Sequence, residues 1–73
     1  MTDDVRVKFS KKLQAIRKER NLSQEKMALI CGIDRTYLGR IERLERTPSL
    51  TVLQKIANGL NITLSELFKE IDL

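Results

Sequence analysis

Hydrogen-bond donors are concentrated in one short part of this chain, and they are suited to binding acceptor groups. Arg35, Arg40 and Arg43 each carry a guanidinium, whose planar fork of N–H groups matches paired acceptor atoms. Thr36 adds a hydroxyl and a methyl group. Histidine is absent and Cys31 is the single cysteine, so neither a zinc site nor a histidine-based nucleophile can be assembled. We therefore expect a binding protein that is not an enzyme and needs no metal or cofactor.

Length and composition limit the fold and the location. The 73 residues suffice for one domain spanning residues 1–73. Hydrophobic residues make up 41% and charged residues 33% of the chain, and no apolar run reaches membrane-spanning length. The first ten residues lack the apolar stretch of a secretory signal. A lone Cys31 forms no internal disulfide and is interpreted as a small core residue. We expect a cytoplasmic protein with no membrane partner.

The charges are divided unevenly along the sequence. Residues 1–46 contain twelve basic and seven acidic residues, a balance of +5, whereas residues 47–73 have two basic and three acidic residues, a balance of −1. The basic part suits a polyphosphate partner, and the nearly neutral, apolar part suits another protein surface. An ordinary solvated surface is the alternative interpretation of the same charges.

Apolar periodicity predicts five helices and no strand, hence an all-α five-helix bundle. Ser23, Asp34 and Thr63 are predicted N-caps, and Thr63 begins a capping box. The predicted helices are Val5–Arg20, Gln24–Cys31, Arg35–Arg43, a fourth that Ser49 opens and that reaches Leu60, and Leu64–Leu73.

Residues from about 24 to 43 have the pattern of a helix-turn-helix. Ala28 is small where the two helices must cross, and Gly32 supplies the left-handed backbone at the reversal. Apolar residues occupy the spacings that two packed helices bury, namely Met27, Cys31, Ile33, Leu38 and Ile41. Such a unit presents the outer face of its second helix to the major groove of double-stranded DNA.

At roughly 100° per residue, the outer face of the third helix lies opposite Leu38 and Ile41. The predicted base contacts on this face are Arg35, Thr36, Gly39 and Arg40, with Gly39 allowing close approach. Helix N-termini and basic side chains predict contacts to the DNA backbone, or supporting roles, for Arg17, Ser23, Gln24, Tyr37, Arg43, Arg46, Thr47 and Ser49. The alternatives are a solvated basic face for the arginines, including Arg17, and packing on the second helix for Tyr37.

The C-terminal part, about residues 60–73, is predicted to form a homodimer. Its apolar side chains at helical spacing are Leu64, Leu67, Phe68 and Ile71, and a large exposed apolar patch usually marks an interface. A two-fold dimer requires a near-palindromic operator. The alternative is that Leu64 and Leu67 close the core of the monomer.

Two short motifs resemble known DNA-binding proteins. Leu22-Ser23-Gln24 and Ile41-Glu42-Arg43 resemble the phage-repressor type of helix-turn-helix domain over about residues 8–70. Residues 34–37, Asp-Arg-Thr-Tyr, together with the absence of a second domain, resemble the stand-alone controller proteins of bacterial restriction–modification systems. Leu44 stands where that family usually has glycine, and Thr47-Pro48 where asparagine is frequent.

The resemblance to controller proteins implies a function and a set of contacts. It implies homodimers that bind paired operator sites upstream of their own gene and of the endonuclease gene. They activate transcription when one site is filled and repress it when both are. It also implies base contacts from Arg35 and Thr36, with RNA polymerase as a further partner. Phage-type repressors, antitoxin autoregulators and, in another class, protein-interaction coactivators remain as alternatives.

Overall fold

The computed structural model describes residues 4–71, and this part of the chain contains five helices and no strand. The all-α prediction is confirmed, and the bounds of the first four helices agree within one residue. The helices are α1 (Val5–Glu19), α2 (Gln24–Cys31), α3 (Arg35–Glu42), α4 (Leu50–Leu60) and α5 (Leu64–Leu67).

Hydroxyl caps begin three of these helices, as the sequence predicted. The Ser23 hydroxyl accepts a hydrogen bond from Lys26 N at 3.0 Å, and that of Ser49 accepts one from Val52 N at 3.1 Å. Thr63 and Glu66 form the complete capping box of α5. Each cap satisfies an amide that has no partner within the helix. Asp34 occupies the N-cap position of α3, but its side chain makes no cap hydrogen bond.

Left-handed backbone ends the helices and turns the chain. Asn21, Gly32 and Asn61 have φ between 57° and 70°, and glycine and asparagine adopt this conformation most readily. Leu44 has φ 65°, and Glu45 N donates to Arg40 O at 2.8 Å to close α3. A leucine in this conformation costs about 1 kcal/mol. The linker after α3 therefore keeps the turn that glycine would form, although leucine replaces it.

The core lies between α1, α2, α3 and α4, and α5 closes one end. Its largest fully buried side chains are Leu13, Met27, Leu38, Ile56, Leu60 and Leu67. All are aliphatic or methionine, so the core depends on close packing of flexible aliphatic side chains rather than on aromatic rings. The apolar faces of α2 and α3 both point into it, which fixes the orientation of α3.

The fifth helix is shorter than the prediction of Leu64–Leu73, which was wrong in this respect. The helix ends at Leu67, Phe68 is its C-cap, and Ile71 lies beyond a turn. Glu70 has φ 70°, which a continuous helix cannot accommodate. The last two residues of the predicted helix lie outside the described residues. The apolar spacing continues past Leu67 to Phe68 and Ile71. It is therefore compatible with a longer helix as well as with the short helix and turn that the structure shows.

Gly59 lies where α4 crosses α2 most closely. A Cβ at this position would be 2.6 Å from Cys31 Cα and 2.7 Å from Ile30 O. Both atoms belong to the backbone of α2, so neither can move aside without moving the helix. Gly59 therefore sets the distance between the two helices.

We predict that Gly59→Ala destabilises the protein, although alanine is the better helix former by about 1 kcal/mol. The added methyl group overpacks the α2–α4 contact, and the free energy of unfolding should fall by about 2 kcal/mol. Urea denaturation measures this change. Asn58→Ala, at the exposed neighbouring position, is the matched control and should be neutral or stabilising. A stabilised Gly59→Ala variant would contradict the close approach.

Candidate nucleic-acid interface

The outer face of α3 carries the predicted base contacts in exposed positions. Arg35, Thr36 and Arg40 are exposed, whereas Leu38 and Ile41 are buried on the opposite side. The packing of α3 on α1 and α2 leaves these three side chains directed away from the core. Two guanidinium groups and a hydroxyl thus share one surface, a set of donors that fits guanine and thymine edges in a major groove.

The sequence predicted that Gly39 allows DNA to approach α3 closely, but the structure shows no open space at this glycine. It is buried, and a Cβ there would lie 3.0 Å from Arg43 Nη1 and 3.6 Å from Gln24 Oε1. The Arg43 side chain folds back over the glycine. A base can therefore approach Gly39 only if that guanidinium moves, so the role of Gly39 in this structure is to make room for Arg43 and Gln24.

A buried carboxylate, Glu42, joins α1, α2 and α3 behind the outer face. Its side chain is 4% exposed and accepts hydrogen bonds from Arg17 Nε at 2.9 Å and Arg17 Nη2 at 3.2 Å. Gln24 Nε2 donates to the same carboxylate at 2.9 Å. Its charge is compensated by a two-point contact with a guanidinium, the arrangement that makes burial tolerable.

The main-chain carbonyl of Glu42 is held as well. Ser10 Oγ donates to it at 2.8 Å and Gln14 Nε2 at 3.1 Å. Ser10, Gln14 and Arg17 recur at helical spacing, so they form one polar stripe on α1. This stripe clamps the C-terminal end of α3 to α1. The signal for this clamp in the sequence is a polar stripe beside the apolar one, and it was not predicted.

Arg17 was predicted to extend the strip of DNA contacts, and in the structure it lines an open cleft together with Ser23, Gln24 and Arg35. Its side chain is 15% exposed, and Nη1 donates to Leu22 O at 3.0 Å in addition to its contacts with Glu42. Each of its three nitrogens thus makes one hydrogen bond within the chain, and two of its five N–H groups are left over. Arg17 orders the region where α2 begins, and Ser23 and Gln24 are positioned through it. Ser23 and Gln24 lie beside Arg35 along an open cleft.

The residues after α3 form a second part of this surface. Arg43 pairs with Glu45 at 3.1 Å, and both side chains are more than half exposed. The hydrogen bond from Arg43 lowers the pKa of the Glu45 carboxyl. An exposed pair of this kind contributes little to stability, because water and salt screen it. An anionic ligand can therefore replace Glu45 as the partner of Arg43 at little cost.

Tyr37 and Arg46 contact each other across the linker. The Arg46 guanidinium carbon lies 5.6 Å from the centroid of the Tyr37 ring, within the range of a cation–π interaction. Tyr37 is half-buried and packs against the core. The ring thus connects the core to the linker and holds Arg46 beside α3. Thr47 and Ser49 are exposed nearby, at the start of α4.

The predicted dimer residues are distributed over different environments. Leu64 is 44% exposed, whereas Leu67 is fully buried in the core. Leu67 therefore belongs to the monomer core and offers no surface to a partner, so its assignment to an interface was wrong. Phe68 is half-buried, and its ring stacks on that of Phe9 with centroids 5.2 Å apart. Ile71 is also half-buried.

Other groups in the described residues bear on alternative functions. Burial raises the pKa of the Cys31 thiol, so it remains protonated inside the core. Residues 4–71 contain no group of three or more His, Cys, Asp or Glu side chains that could hold a metal ion. Within the same range, no helix combines the length and apolarity needed to cross a membrane.

Comparisons with known proteins agree on one kind of protein. The family model described as "Helix-turn-helix" matches residues 13–67. The chain is 48% identical over 71 residues to the control protein C.MunI from Mycoplasma sp, covering 96% of both chains. It is similar to the crystal structure of the restriction–modification controller protein C.AhdI from Aeromonas hydrophila, with a TM-score of 0.81, 43% identity and coverage of 86% of this chain and 96% of that one.

A third similar protein has been solved with nucleic acid. C.Esp1396I bound to a 19 base pair DNA duplex has a TM-score of 0.84 and 30% identity, covering 94% of this chain and 92% of that one. The same controller protein has also been crystallised as a tetramer in complex with its natural 35 base-pair operator.

We predict that Arg17→Met lowers the free energy of unfolding by about 3 kcal/mol, because it leaves the Glu42 carboxylate buried without its cation. The double variant Arg17→Met/Glu42→Leu removes both charges, so its free energy of unfolding should fall by less than that of the single variant. Urea denaturation of both variants gives the comparison.

The matched control is Arg43→Met, which breaks an exposed ion pair and should leave the free energy of unfolding nearly unchanged. Equal losses for Arg17→Met and Arg43→Met would show that the Glu42 ion pair contributes no more than a surface pair.

Proposed function

This chain belongs to the helix-turn-helix family, among the controller proteins of restriction–modification systems, and we propose that it regulates such an operon as an operator-bound homodimer. It is a DNA-binding transcription regulator and not an enzyme. The observation that carries the proposal is the exposed row of Arg35, Thr36 and Arg40 on a helix anchored through Glu42.

Base recognition is assigned to the exposed donors of α3. Arg35 and Thr36 lie at the N-terminal end of α3, the part of a recognition helix that reaches deepest into the major groove. Arg fits guanine O6 and N7, and Thr36 offers a hydroxyl and a methyl for thymine. Arg40 lies one turn further along α3, where it reaches the next base pair or the adjacent phosphate. Each good contact contributes about 1–3 kcal/mol of discrimination against a wrong base.

Phosphate contacts are assigned to the edges of the same surface. The amides that begin α2 at Ser23 and Gln24 attract an anion, and Ser49 begins α4 in the same manner. Arg43 and Arg46 supply positive charge between these two helix ends. Tyr37 supports Arg46 through its ring. Because the side chains of Arg43, Arg46 and Ser49 are exposed, they can meet a phosphate with little rearrangement of the fold.

The dimer is assigned to the C-terminal apolar surface, now reduced to Leu64, Phe68 and Ile71. A two-fold dimer through this end brings two copies of α3 to half-sites about 34 Å apart, one turn of DNA. The operator must then be nearly palindromic. RNA polymerase is the further partner we propose for activation, and the protein acts on the nucleoid in the cytoplasm. C.Esp1396I, which forms a tetramer on its operator, supports self-association on DNA.

We predict different effects for Arg35→Ala and Arg46→Ala once the operator has been selected from random duplexes. Arg35→Ala should weaken the free energy of operator binding by about 1–3 kcal/mol and relax the preference at one base pair per half-site, because a base contact is lost. Arg46→Ala should weaken binding to the operator and to unrelated DNA alike. It should also reduce the slope of the logarithm of the binding constant against the logarithm of the salt concentration by about one unit. Fluorescence anisotropy over a salt series measures both.

Lys11→Ala is the control for these variants, because it removes one exposed positive charge from α1. It should leave sequence preference unchanged. An Arg35→Ala protein that keeps the wild-type preference at every operator position would overturn Arg35 as a base reader. A loss confined to the operator for Arg46→Ala would make Arg46 a base contact instead.

We predict that Leu64→Glu yields folded monomers with weak operator binding, because it places a charge in the proposed dimer interface. Leu64 is the better site than Phe68, whose ring also stacks on Phe9 within the monomer. Sedimentation equilibrium without DNA measures the dimer. Leu29→Glu, the same change at a 74% exposed leucine of α2, should dimerise normally. A Leu64→Glu variant that dimerises as tightly as wild type would move the interface elsewhere.

A further inference from the structure

Helix α1 contacts both the recognition helix and the proposed dimer segment, through two different stripes of side chains. Ser10, Gln14 and Arg17 hold the end of α3 through Glu42. Phe9 and Lys12 lie on another stripe, one turn apart, and contact the segment formed by residues 64–71. The position of α3 relative to the dimer segment is therefore set by contacts to one rigid helix.

The dimer segment has little structure of its own. α5 is only four residues long, and a single helical turn is not stable in isolation. Its N-terminus is satisfied by the capping box of Thr63 and Glu66. Lys69 N donates to Glu66 O at 3.3 Å within the segment, and the carbonyl of Lys69, in the turn after α5, accepts from a donor elsewhere in the chain.

Lys12 supplies such a donor. Its Nζ donates to Lys69 O at 2.6 Å and lies 3.5 Å from Glu66 O. A cation at the C-terminal end of a helix also interacts favourably with the helix dipole. The contact joins residues 57 positions apart in sequence, so it is a tertiary restraint. It acts on the turn that follows Phe68, between Phe68 and Ile71.

The Phe9–Phe68 stack holds the same segment from the other side. The two ring planes are inclined by 23°, an offset-stacked arrangement that is favourable beyond the area it buries. The stack alone fixes one ring. With Lys12 holding the backbone carbonyl of the next residue, the direction of the segment leaving α5 is fixed as well.

We propose that Lys12 is a positioning residue for dimerisation, which holds residues 64–71 so that two copies of α3 meet half-sites at one fixed spacing. This inference rests on the proposed dimer. Lys12 acts within one copy of the chain and not by contacting DNA or the partner copy. It orders the surface that the partner copy binds, which lowers the entropy lost on association.

The test compares Lys12→Met, Lys12→Arg and Lys11→Met. Lys12→Met keeps a long apolar side chain and loses the donor, Lys12→Arg keeps a cationic donor, and Lys11→Met removes one charge from an exposed neighbouring position. We expect the dimer dissociation constant to rise about tenfold for Lys12→Met, the effect of one lost charged hydrogen bond. Lys11→Met should remain at the wild-type value, and Lys12→Arg should recover most of the loss.

A second readout uses operators whose half-sites are moved apart by one base pair, which rotates them by about 35°. Wild type and Lys11→Met should discriminate strongly against this operator, and Lys12→Met should discriminate less. Amide hydrogen exchange in dilute monomeric samples adds a third readout. The amides of Phe68, Lys69 and Ile71 should exchange faster in Lys12→Met, while those of α2 and α3 should not change.

The outcomes separate this inference from the function on which it rests. If Lys12→Met and Lys11→Met have the same dimer dissociation constant and the same spacing discrimination, Lys12 is not a positioning residue even though the dimer exists. If wild type remains monomeric at all concentrations and on the operator, the proposed dimer itself is wrong. If Lys12→Met fails to fold, Lys12→Arg carries the test. A dimer as tight as wild type, with unchanged hydrogen exchange at residues 68–71, supports Lys12 as a positioning residue. Faster exchange at these residues with an unchanged dimer dissociation constant overturns it.

Discussion

The buried carboxylate of Glu42 is the constraint on which the position of the recognition helix depends. A carboxylate removed from water costs several kcal/mol unless it is paired and fully hydrogen-bonded. Here Arg17 and Gln24 meet its oxygens, and Ser10 and Gln14 meet its main-chain carbonyl. These partners come from α1 and from the first residue of α2. The cost of burying the charge is offset only when all three helices occupy their observed positions, so the network defines one arrangement.

This network also decides which polar groups remain for DNA. Arg17 is basic and lines the same cleft as Arg35, and its guanidinium is held by Glu42 and Leu22 within the chain. Gln24 is held by its amide nitrogen, with its oxygen beside Gly39. Arg35, Thr36 and Arg40 are exposed on the side of α3 that faces away from the core. The structure thus separates arginines that build the surface from arginines that face solvent, a distinction that net charge does not reveal.

The sequence predicted what depends on local patterns and missed what depends on tertiary contacts. Ser23, Ser49 and Thr63 act as caps because capping is a property of a few consecutive residues. The burial of Glu42 is not visible in the local pattern, because a carboxylate is usually exposed and only the position of Arg17 makes its burial favourable. The end of α5 was missed because its apolar spacing continues through a turn. The base and phosphate contacts remain predictions, because local patterns indicate only that the partner carries hydrogen-bond acceptors and negative charge.

Helix α1 joins α3 to the end of α5 through two different stripes of side chains. Its polar stripe holds α3 by hydrogen bonds, which are directional and fix orientation. Its other stripe holds the end of α5 by an aromatic stack and one cationic hydrogen bond, while Leu13 fills the core between them. A regulator that reads two half-sites needs both binding surfaces fixed relative to each other, and a 15-residue helix is stiff over that length. In the proposed dimer, α1 therefore links the recognition helix to the segment that is proposed to set the half-site spacing.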